Sequence, residues 1–104
     1  MPEAGDVILA KVPFTDQVET KKRPAVVLFE EKDNLVIAGI TSNLDMNGIT
    51  LSKEEGAVRD SVIKLNYIFT ISDKMVEKKL FSLTESKKEK LFNGLNKRLE
   101  ALMD

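Results

Sequence analysis

Three short apolar runs, Val7 to Val12, Ala25 to Phe29 and Leu35 to Ile40, constrain this chain more than any other feature. Each is rich in Val, Ile or Leu and bounded by polar residues, the pattern of a strand covered on both faces. Only Glu30 to Asn34 separates the second run from the third. No crossover helix fits that space, so the two strands must form an antiparallel hairpin. The first connection, Pro13 to Arg23, is longer and polar, which predicts a protruding loop of the kind that carries function.

Downstream, Asn47-Gly48 marks a turn, Ile49 to Leu51 a short strand, and Glu54-Glu55-Gly56 another break. Ser61 to Leu65 and Tyr67 to Ile71 read as two further extended pieces. The period then changes. Ser72 or Asp73 can cap a short helix over about 73–80, and Thr84 is placed to cap a final helix over 84–103. Leu91, Leu95, Leu99 and Leu102, with Phe92 beside them, form an apolar stripe at helical spacing, which reads as a lid on the open end of a barrel. Lys87, Lys88, Lys90, Lys97 and Arg98 are expected on the remaining surface. The expected fold is mainly β: one domain over residues 1–104, a small, strongly curved antiparallel sheet or half-open barrel followed by a C-terminal helix.

The missing residues narrow the chemistry. The chain has no cysteine and no histidine. Disulfides, thiolate nucleophiles and imidazole acid/base catalysis are therefore excluded, as are the usual zinc sites. No metal ion and no cofactor is expected. The net charge is −1, so a nucleic-acid ligand would have to be gripped locally rather than coated by a polycation. No secretory signal and no apolar run near the roughly 18 residues of a membrane span is visible, and the expected location is the cytoplasm, with no membrane contact.

Two positions stand out. Pro24 biases Arg23 towards extended backbone, and a guanidinium offers a planar fork of donors that matches phosphate oxygens and stays charged. Lys21 and Lys22 add point charges beside it. Thr41 ends the third run, with Ser42 and Asn43 after it, and its hydroxyl can donate to a phosphoryl oxygen or orient a ribose hydroxyl. Taken alone, a KKR triplet is an ordinary solvated run and Thr41 an ordinary strand residue. In an antiparallel hairpin, however, the start of strand two and the end of strand three share one sheet edge, so a single phosphate can touch both Arg23 and Thr41.

The segments GDVILAKVPFTD, KKRPAVVL, VIAGITSN and DSVIKLNYIFTI, followed by a C-terminal helix, resemble the MazF/PemK family of bacterial toxins in order and spacing across about residues 5–100. The most specific parts are Gly5-Asp6, Arg23-Pro24 and Ile40-Thr41. The resemblance implies an SH3-like barrel that forms a homodimer. It implies a metal-independent, sequence-selective endoribonuclease, the toxin of a type II toxin–antitoxin system, neutralised by a cognate antitoxin and touching DNA only through it. It assigns Arg23 and Thr41 as the catalytic pair acting on single-stranded RNA, with a 2′,3′-cyclic phosphate as product. It sets Thr15 to Lys22, including Thr15 and Asp16, beside the active site as a loop that helps select RNA and contacts antitoxin. Ser42, Asn43 and Tyr67 are further candidate RNA contacts. One departure lies in Tyr67-Ile68-Phe69-Thr70, where some members carry polar or basic residues: Tyr67 retains a donor, Phe69 does not. Two alternatives stay open: a barrel of the same fold that poisons gyrase by binding through its helix, and an inactive homologue that binds an antitoxin-like partner.

Overall fold

The computed structural model describes residues 1–13 and 20–104. Its strands are β1 (Asp6–Pro13), β2 (Thr20–Glu31), β3 (Asn34–Thr41), β4 (Ile49–Leu51), β5 (Ser61–Ser72) and β6 (Val76–Ser82), followed by helix α1 (Glu85–Leu99). They make one antiparallel sheet in the order β4-β5-β3-β2-β1-β6. The hairpin of β2 and β3 turns through Lys32 and Asp33, with Lys32 left-handed at φ 56°. The sheet curls into the expected SH3-like half-barrel. Its two edges meet where Gly56, after β4, lies against the Phe81 ring of β6. A Cβ on Gly56 would sit 2.7 Å from Phe81 Cγ, and its φ of 113° also favours glycine.

Strand alternation divides the core between the two faces of the curled sheet. Val7, Val26, Ala38 and Ile40 fall in one cluster, which Leu91 and Leu95 of α1 cover. Ile8, Ala25, Val27 and Ile37 fall in the other, which closes against Phe69, Met75 and Val76. This is why the three apolar runs are nearly continuous rather than alternating.

Two polar devices fasten the ends. Asp6 accepts from the Glu3 N–H (2.8 Å) and the Ser82 hydroxyl (2.8 Å) and faces Lys79 at 3.4 Å, tying β1 to β6. Burial pushes its carboxyl up, but these donors together outweigh it and hold the group below its ordinary value. On the other side, Glu55 accepts from the Ser52 N–H (3.0 Å) and pairs with Lys87 of α1 at 3.3 Å. The backbone donor, with Lys87 behind it, holds the Glu55 carboxyl low.

Four expectations change. Residues 73–80 are not a helix: Asp73–Met75 is a single 3-10 turn, capped by Ser72 accepting from Lys74 N–H, and Val76–Ser82 pairs with β1. An isolated helix of two turns is marginal, and pairing to a waiting sheet edge overrides it. The two pieces around Asn66 are one strand, β5, with a bulge between them. Only half of the helical stripe packs: Leu91 is buried, whereas Phe92, Leu99 and Leu102 are exposed at 63%, 57% and 80%. Finally, Lys87, expected on the surface, is buried. Among the described residues no helix is long and apolar enough to cross a membrane.

Candidate functional site

Pro24 decides where the site opens. β2 and β3 are paired as far as Ala25 and Gly39. The next rung would set Pro24 against Ile40, and proline brings no N–H to a ladder. Beyond it Arg23 pairs with Ala10 on β1, while Ile40 and Thr41 pair with Ile63 and Val62 on β5. The two strands part, and a groove of about 700 Å3 lies there. Carrying the Ala25–Gly39 register two residues on sets Arg23 opposite Thr41, on the sheet face that bears Ala25, Val27 and Ile37. Both line the groove, as do Ser42 and Tyr67.

The end of β3 is built by its own side chains. Thr41 Oγ1 accepts from the Asn43 N–H (3.1 Å), and Asn43 Oδ1 accepts from the Asp45 N–H (3.0 Å). Two successive turns of this kind stop the strand and fix the Thr41 rotamer. With one oxygen lone pair committed to the turn, the hydroxyl proton and the second lone pair of Thr41 are left to serve a ligand. The same arrangement engages the Asn43 oxygen, and Asn43 is exposed outside the groove lining.

Charge is sorted around the groove. Lys22, Arg23, Arg59 and Lys78 line it, and no carboxylate is among its described lining residues, in a chain whose net charge is −1. Arg23 is half-buried, with Nε sealed from solvent. Lys22 is tempered by Glu77 on β6, at 2.9 Å across an exposed pair. Lys21 and Lys22 belong to β2, not to a loop as the run of charges suggested, because β1 pairs with β2 out to Pro13 and Thr20. Lys21 is exposed and outside the groove lining. Thr15 and Asp16 lie outside the described residues. Sequence reasoning missed Arg59 and Lys78. Lys78 was hidden by the helix expected over 73–80, and no local signal marks Arg59. Among the described residues no cluster of three or more carboxylates is placed to hold a metal ion.

A curled half-barrel with one cationic cleft at the split between two strands defines a small β protein suited to an extended anion. A family model for PemK-like, MazF-like toxins of type II toxin–antitoxin systems matches residues 3–99, and the chain belongs to that family. The fold is that of solved MazF structures. MazF-mt6 of Mycobacterium tuberculosis superposes with a TM-score of 0.74 at 18% identity, over 91% of this chain and 96% of that one. MazF of Deinococcus radiodurans in its MazE–MazF complex gives 0.75 at 18% identity, over 94% and 95%. A Mycobacterial endoribonuclease in complex with its cognate antitoxin gives 0.71 at 14% identity, over 95% of both chains. No curated protein matches the sequence.

Proposed function

We propose that this toxin is an endoribonuclease that cuts single-stranded RNA in the groove between Arg23 and Thr41, without a metal ion. The observation that carries this reading is the lining itself: four cations and no described carboxylate, with a hydroxyl donor opposite the most buried guanidinium. In the reaction, the ribose 2′-oxygen attacks the adjacent phosphorus and the bond to the 5′-oxygen breaks. A 2′,3′-cyclic phosphate and a 5′-hydroxyl result. The 2′-proton leaves, and the departing oxygen gains one. Arg23 neutralises charge on the equatorial oxygens of the five-coordinate phosphorus, and the Thr41 hydroxyl donates to the same group. Neither removes the 2′-proton, because a guanidinium is a donor with no lone pair to offer and is no base near neutrality.

Lys22, Ser42 and Tyr67 bind RNA flanking that phosphate. The antitoxins bound to the neighbours in D. radiodurans and the Mycobacterial species support a similar partner for this chain. A homodimer and a cytoplasmic location, which the family resemblance implies, belong to the same reading.

The test is purified protein incubated with single-stranded RNA in EDTA. Fragments with cyclic phosphate ends are expected, and Arg23→Ala should lower kcat by about 10²–10³-fold, the loss typical of a transition-state donor. Thr41→Val should lower it by a smaller factor. Cutting that needed Mg²⁺, or that survived Arg23→Ala, would overturn the mechanism. Toxicity unaffected by both substitutions would instead favour action by binding alone.

A further inference from the structure

β5 holds a lysine, Lys64, just behind the groove lining, where it touches two lining residues but is not itself one of them, and the mechanism above does not use it. Between the rungs Ala38–Ile68 and Ile40–Ile63, the single residue Gly39 on β3 faces residues 64–67 on β5. This bulge packs on Gly39 at ordinary contact distance, a Cβ there lying 3.5 Å from Tyr67 Cβ. It also folds Lys64 back over its own strand. Lys64 is only 7% exposed, with Nζ 3.8 Å from the Met46 sulfur and 4.8 Å from the centre of the Tyr67 ring. Both Met46 and Tyr67 line the groove. Among the described residues no carboxylate pairs with Lys64.

A thioether sulfur is a weak acceptor, and a ring face returns only part of the hydration that a buried ammonium gives up. An anionic oxygen is a far better partner than either. Nor does packing ask for an amine here. Val62, Ile63 and Leu65 on the same strand are buried and apolar, and an apolar side chain would fill the position without desolvating a charge. Gly39, which the bulge faces, is two residues from Thr41 along β3, roughly 6.7 Å.

We infer that Lys64 is a second phosphate-binding residue of the groove, taking a phosphodiester next to the one held by Arg23 and Thr41. The inference rests on the RNA-cutting reading of that groove. On binding, the ammonium exchanges the Met46 sulfur for a phosphate oxygen while the Tyr67 ring keeps its place beside it. The charge thereby serves ground-state binding along the strand rather than the reacting phosphorus.

The probe is a single-stranded RNA of mixed sequence, 2′-O-methylated throughout so that it lacks the attacking hydroxyl. Its affinity is followed by fluorescence anisotropy over a series of potassium chloride concentrations. Each phosphate neutralised on a single strand contributes about 0.7 to the slope of log K against log salt. Lys64→Met should reduce the slope by about that amount, and Lys64→Arg should keep it. On cleavable RNA, Lys64→Met should raise KM and leave kcat near wild type. Lys97→Met, which removes a charge from α1 away from the groove, should leave the slope unchanged. A wild-type slope in both Lys64→Met and Lys64→Gln overturns the inference, whatever happens to kcat. So does loss of the fold in both, because the amine would then be structural. A wild-type protein that neither binds nor cuts RNA overturns the RNA-cutting reading itself, a result seen before any variant is made.

Discussion

Lys64 and Lys87 are buried to nearly the same degree, 7% and 8% exposed, yet their surroundings differ completely. Lys87 sits in the first turn of α1, where the helix dipole disfavours a cation. It is held there by Glu55 at 3.3 Å and by the Thr50 carbonyl, to which it donates at 2.7 Å. Glu55 in turn accepts from the Ser52 N–H and hydroxyl. The charge is matched within the protein, and the result is a clasp that fastens the helix to β4. Lys64 rests on a sulfur and a ring beside a groove. Burial alone does not say what a charge does; the partners around it do.

Replacing each lysine by methionine puts that comparison to its hardest test. Lys87→Met leaves Glu55 partly buried without its cation and the Thr50 carbonyl without its donor. It should destabilise by about 2 kcal/mol, the scale of a hydrogen bond to a charged group. At this chain length that lowers the melting temperature by roughly 10 °C. Lys64→Met strands no carboxylate among the described residues and should stay within about 0.5 kcal/mol of wild type or gain stability. Equal losses in thermal melts of the two variants would erase the distinction drawn here.

How much of this was legible beforehand follows from which contacts are local. The β2–β3 hairpin could be read because its connector is too short for anything else, and the opposition of Arg23 and Thr41 follows from that hairpin alone. Strand β6 could not. The stretch Val76-Glu77-Lys78-Lys79-Leu80 suits a helix as well as a strand, and its partner β1 lies at the other end of the chain. The burial of Lys87 depends on Glu55, distant in sequence, and that of Lys64 on a bulge that faces Gly39 across the sheet. Periodicity identified the apolar face of α1 but not its reach: Leu91 and Leu95 meet the sheet, while Leu99 and Leu102 run past it.

Acid should separate the two lysines next, with a smaller effect. The Glu55 and Asp6 carboxyls are held below their ordinary values of 4.5 and 3.8. A lowered folded-state value means that the stabilisation is present above the unfolded value and is lost as pH falls through the folded one. Stability should therefore decline below about pH 4.5 as these two carboxyls take up protons. In Lys87→Met the decline should be shallower, because one cause of the Glu55 shift is gone while the Ser52 donors remain. Lys64→Met should follow the wild-type curve. Denaturant titrations at a series of pH values read the difference. An acid limb identical in wild type and Lys87→Met would mean that the clasp contributes nothing through Glu55.

The smallest effect lies at the rim of the groove, where Lys22 pairs with Glu77 in the open. Exposed pairs of this kind stabilise by about 0.5 kcal/mol or less, so Glu77→Gln should melt within error of wild type. Its consequence should appear in binding instead. Glu77 neutralises Lys22 at the edge of the groove, and removing Glu77 should release that charge towards the groove. Affinity for the 2′-O-methylated RNA should then rise about twofold, with a steeper dependence on salt. Lys22→Gln should move both in the opposite direction at unchanged stability. If Glu77→Gln weakened binding, the carboxylate would be orienting Lys22 rather than competing with RNA for it. Charge at the rim would then behave as Lys87 does, matched within the protein and closed to a ligand.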